Sequence, residues 1–124
     1  MQELITTPSK KSLKNIVILI SGRGSNMEVF LDAATSGALA GNIVRVISNR
    51  PDAQGIIIAR NRGIATTVID HQQFAAREAF DAALADEVAA NNPDIVVLAG
   101  FMRILTPVFI NRFLGKLVKN PPSL

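Results

Sequence analysis

Six consecutive residues, Ser21-Gly22-Arg23-Gly24-Ser25-Asn26, have the composition of a loop that closes around an anion. Glycines at 22 and 24 let a chain leave a strand sharply and bring its backbone against a ligand, while the free amides at the start of a following helix point into the same space. Ser25 and Asn26 add a hydroxyl and a side-chain amide that either cap the helix or bind the ligand. The plainer reading is a tight capped turn with no guest. Where a dinucleotide fingerprint needs a third glycine for close helix–strand packing, this sequence has Met27. Ser48-Asn49-Arg50 likewise lacks the acidic residue that holds the ribose of NAD; Arg50 is either a partner for the 2′-phosphate of NADP or an exposed turn residue. The single histidine, His71, is either a loop residue beside Asp70 or a candidate proton acceptor.

The elements that position these residues follow from apolar patterning. A continuous β-branched run over 15–20 predicts a strand buried on both faces. Met27, Phe30, Leu31 and Ala34 recur at helical spacing before Gly37. A strand over 42–48, a helix over 54–62 ended by Gly63, and a strand over 65–69 come next. Residues 74–91 predict an Ala-rich helix with Phe80, Leu84 and Val88 on one face and Pro93 beyond its end, and 95–99 predicts a fourth buried strand. Alternation of this kind means an α/β class, an open doubly wound parallel sheet of Rossmann-like form. Ligands of such sheets sit outside the carboxyl ends of the strands, which puts residues 21–26, 48–52, 70–73 and 100–105 on one rim.

Bulk composition narrows the function classes. A length of 124 residues suits one domain, with 48% hydrophobic and 19% charged residues, neither a disordered composition nor one with a membrane span. With no cysteine there are no disulfides or thiolate metal sites, and a cytoplasmic location is the expectation. The net charge is +3, but Lys10, Lys11 and Lys14 cluster near the amino terminus opposite Glu3, leaving the body nearly neutral. Without Trp, Tyr or a basic helix stripe, nucleic acid is not an expected partner; small molecules are. Residues 1–14 are expected to form a mobile tail ahead of a domain over 15–124.

Three motifs, residues 18–26, Ile47-Ser48-Asn49-Arg50 and the run from Val97 to Pro107 containing Gly100-Phe101-Met102-Arg103-Ile104-Leu105, occur together in order and spacing. As a set they resemble the amino-terminal part of the phosphoribosylglycinamide formyltransferase family of de novo purine synthesis, from about residue 15 to 117. The resemblance implies transfer of a formyl group from the co-substrate 10-formyltetrahydrofolate to glycinamide ribonucleotide, without a metal. It also implies phosphoribosyl binding at Gly24, Ser25 and Asn26, and folate contacts from Arg77, Met102, Arg103, Ile104 and Leu105. The related deformylases and methionyl-tRNA formyltransferases differ in the glycine loop and carry further domains, so they match less well.

One departure limits what the resemblance carries. The family's catalytic Asn and His lie in an Asn-Ile-His-Pro-Ser-Leu motif; aligned through Pro122-Ser123-Leu124, the Asn falls at Lys119 and the His at Pro121. Moving Asn120 into register would lose the rest of the match, and no residue matches the family's Asp. A protonated lysine cannot accept the amine's proton. The expectation is a chain covering little more than half the family domain, with no catalytic residue assigned, inactive alone, and prone to self-association through an exposed sheet edge. A non-catalytic nucleotide-phosphate-binding module and an NADP-dependent oxidoreductase fragment are the alternatives.

Overall fold

The computed structural model describes residues 13–119. The run of β-branched residues forms β1 (Lys14–Ile20), whose last five residues are buried. It lies in the middle of a five-stranded, all-parallel sheet of order β3-β2-β1-β4-β5, with β2 at Gly41–Ser48, β3 at Thr66–Val68, β4 at Ile95–Leu98 and β5 at Leu117–Lys119. A strand covered on both faces has no use for polar residues on either side, which is why β1 reads as a continuous rather than an alternating apolar run.

Two cores result, one on each face. Ile16, Ile18 and Ile20 pack with Met27 and Leu31 of α1 (Ser25–Ser36) and Ile56 and Ala59 of α2 (Gln54–Asn61). Val17 and Leu19 pack on the other side with Phe80, Leu84 and Val88 of α3 (Arg77–Ala89) and with Phe109 of the short α4 (Pro107–Ile110). The doubly wound class is therefore as expected.

Three local features differ from the sequence expectation. Strand β1 starts at Lys14, inside the segment expected to be tail; residues 1–12 of that segment lie outside the described residues. Helix α3 starts at Arg77 rather than at 74, because Asp70 accepts a hydrogen bond from Gln72 N at 2.9 Å and caps a separate 3₁₀ turn, His71–Gln73. Phe74 is then extended, which brings its ring edge-on to Phe80 at 5.8 Å. Finally, α4 and β5 were not expected. Thr106 caps α4 by accepting from Val108 N, with Pro107 at the first helical position, an arrangement that favours a helix start.

Candidate functional site

Strand order reverses at the centre of the sheet: β1 leads outward to β2 on one side, while β4 joins β1 on the other. The loops leaving β1 and β4 therefore flank a crevice at their carboxyl ends, the position where doubly wound sheets hold ligands.

The first wall is residues 22–26. Gly24 has φ +82°, a left-handed conformation that a Cβ disfavours, and an added Cβ would come 2.8 Å from Gly55 Cα. Gly55 in turn sits so close to Gly24 and Ile20 that a Cβ there would collide with the Ile20 side chain. Its N–H donates to Gly22 O at 3.0 Å, tying the loop to the start of α2. Gly24 is also the N-cap of α1 and contributes no side chain, and neither Ser25 nor Asn26 makes a capping bond. Both side chains remain available, beside helix amides that have no partner within the helix. Met27 is fully buried and occupies the helix–strand contact that a third glycine would keep open, which counts against a full dinucleotide site.

The second wall is the loop after β4. Met102 and Ile104 are 81% and 78% exposed, large apolar side chains left uncovered by the other described residues. Arg103 lies over the ring of Phe80, its guanidinium carbon 5.2 Å from the centroid. Each end of the loop is tied down by a side chain from elsewhere. Met102 N donates to Ser21 Oγ at 2.8 Å, and Thr106 donates through N and Oγ1 to Asp81 Oδ2 at 2.6 and 2.7 Å.

Between the walls lies a cleft of about 750 Å³, predominantly apolar, bringing together Ser25 and Asn26 with Met102, Arg103, Ile104 and Leu105. That size suits a small organic ligand. Of the candidate residues, Gly24 is buried and is not among the residues that line the cleft, although its neighbours Ser25 and Asn26 are. Arg77, exposed on the first turn of α3, is not among its lining residues. Lys119, at the end of β5, does line it. Asn120, Pro121 and Pro122-Ser123-Leu124 lie outside the described residues.

Arg50 is engaged with Asp52 at 3.3 Å on the surface, as a turn residue would be. His71 is not among the cleft-lining residues, and its ring makes a T-shaped contact with Phe80. Its Nδ1 lies 3.1 Å from Asn49 Nδ2 and 3.0 Å from Asn49 O, accepting from the first in one tautomer or donating to the second in the other. Among the described residues no group of three or more His, Cys, Asp or Glu side chains is placed to hold a metal ion, and no helix is long and apolar enough to cross a membrane.

Sequence reasoning placed Ser21 and Asn49 in motifs without giving either a role of its own, and it passed over Gly55 and Asp81. The available signals were a glycine in the first turn of a helix, where a capping or polar residue would serve as well, and an aspartate on the apolar face of α3.

Residues 14–124 match the model of a family described as formyl transferase. The chain is 46% identical over 110 residues to the phosphoribosylglycinamide formyltransferase of Escherichia coli (strain K12), covering 89% of this chain and 52% of that protein. It is 42% identical over 126 residues to the trifunctional purine biosynthetic protein adenosine-3 of Chironomus tentans, covering 100% of this chain and 9% of that one. Among solved structures, glycinamide ribonucleotide transformylase 1 from Symbiobacterium toebii superposes with a TM-score of 0.87 at 35% identity, over 98% of this chain and 57% of that one. The chain thus spans about half the length of its bacterial relatives.

Proposed function

Because the chain belongs to the formyl transferase family, we propose that its cleft is the substrate-binding part of a phosphoribosylglycinamide formyltransferase of purine synthesis. In this reading Gly24, Ser25 and Asn26 hold the phosphoribosyl group of glycinamide ribonucleotide. Met102, Arg103, Ile104 and Leu105 receive the flat ring of 10-formyltetrahydrofolate, with Arg77 a more distant contact. The observation that carries the reading is the convergence of an anion-ready helix start and an exposed apolar loop on one cleft at the switch point. Two ligands of opposite character, one a phosphate ester and the other a largely apolar ring, need such a pair of walls.

Formyl transfer requires attack of a neutral amine on the formyl carbon, a group that takes up the amine's proton, and stabilisation of the oxyanion that forms. This chain's own contribution is to hold both partners in one cleft, converting an encounter in solution into a positioned one. Lys119 opens on the cleft where the family motif carries Asn, and its ammonium supplies positive charge without a proton acceptor. Turnover by this chain alone is therefore not expected.

Calorimetric titration of the chain with glycinamide ribonucleotide, a 10-formylfolate analogue and NADPH tests the reading. Binding of the first two, each weakened by a substitution on its own wall, is the expected result. Tight NADPH binding with no response to glycinamide ribonucleotide rules it out, and formylation by the purified chain rules out the expectation of inactivity.

A further inference from the structure

We propose that Ser21 is the positioning residue of the folate-facing loop, a role that rests on the reading of the cleft given above. Its side chain is buried, at 4% exposure for the residue, and its hydroxyl is used in both directions. It accepts from Met102 N at 2.8 Å and donates to Asn49 Oδ1 at 2.6 Å. Asn49, 2% exposed, is itself fixed through its N–H to Ile20 O at 3.3 Å and through its contacts with His71. The ends of β1 and β2 and the segment after β3 thus converge on one backbone amide of the loop after β4.

That amide needs the support. The Met102 side chain is largely exposed and packs little, so the loop at residue 102 depends on the Ser21 anchor, while residues 103–106 are held by the Arg103 stack on Phe80, the Leu105 contact with the core and the Asp81–Thr106 anchor. A small hydroxyl is the group that both accepts from an amide and donates to a side-chain carbonyl. Alanine does neither; threonine does both. Ser21 directly precedes Gly22, so a residue outside the phosphate wall but next to it fixes the folate wall.

The test is amide hydrogen exchange on the whole chain, comparing Met102 with Ala99, whose N–H donates to Leu19 O in the sheet. In Ser21→Ala the Met102 amide exchanges roughly tenfold faster relative to Ala99. The affinity for a 10-formylfolate analogue falls about fivefold to tenfold, the range for one lost hydrogen bond, while that for glycinamide ribonucleotide changes by less than about twofold. Ser21→Thr restores both readouts, and Asn49→Ala, which leaves the hydroxyl without its acceptor, gives the same pattern as Ser21→Ala. Unchanged Met102 exchange, equal acceleration of Met102 and Ala99 in both variants, or equal weakening of the two ligands overturns the proposal. Should the unaltered chain bind neither ligand, the functional reading falls, and the exchange ratio still decides whether Ser21 anchors the loop.

Discussion

Along residues 22–26 backbone is held against backbone: Gly55 N–H donates to Gly22 O, and Gly24 lies so close to Gly55 that it has no room for a Cβ, while a Cβ on Gly55 would meet the Ile20 side chain. Across the cleft, residues 102–105 are held by two side-chain anchors and one stacked guanidinium, and they show apolar groups to solvent. The difference teaches that a wall meant for an anion can be made from main-chain amides, whose placement tolerates almost no substitution. A wall meant for an apolar ring needs side chains in the open, and those must be fixed from behind.

Breaking the first wall has the largest expected effect. Gly24→Ala adds the strain of a side chain at positive φ to an overlap with Gly55, together about 2–4 kcal/mol of stability, read as a lower urea midpoint and accompanied by loss of glycinamide ribonucleotide binding. Next comes Asp81→Ala. The carboxylate is 1% exposed and receives two hydrogen bonds from Thr106, so its removal costs about 2 kcal/mol by equilibrium unfolding. A cost under about 0.5 kcal/mol would show that Phe109 packing alone docks α4. Arg103→Ala removes the stack on Phe80 and lowers stability by about 0.5–1 kcal/mol; folate-analogue affinity falls with it while phosphate binding stays. Arg50→Ala, at the smallest end, changes stability by less than about 0.5 kcal/mol, since Arg50 and Asp52 are 55% and 71% exposed and screened by water. A clear loss there would give Arg50 a role beyond its turn.

Much of this was legible in the sequence, for reasons that differ by region. The 15–20 run announces a buried central strand because all five residues after Asn15 are apolar, and Met27 announces the wrong packing for a dinucleotide because it is bulky where a glycine is needed. Helix α4 and strand β5 were not read because four and three residues carry too little periodicity, although Thr106-Pro107 is a helix-start signal. The bonds from Ser21 to Asn49 and Met102 span 28 and 81 positions and leave no local trace. Arg77 carries no local sign of a ligand role: it stands exposed on the first turn of α3, after the 3₁₀ turn at His71–Gln73, and its folate contact rests on the resemblance alone.

The alternation along β1 has a consequence for how the chain comes apart. Ile16, Ile18 and Ile20 belong to one core, Val17 and Leu19 to the other, and Val97 and Val96 of β4 divide in the same way. Neither helical layer owns a wall of its own, so melting either one strips the shared strands of half their cover. Heat or denaturant is then expected to remove both layers in a single cooperative transition, with circular dichroism and side-chain probes tracing one curve.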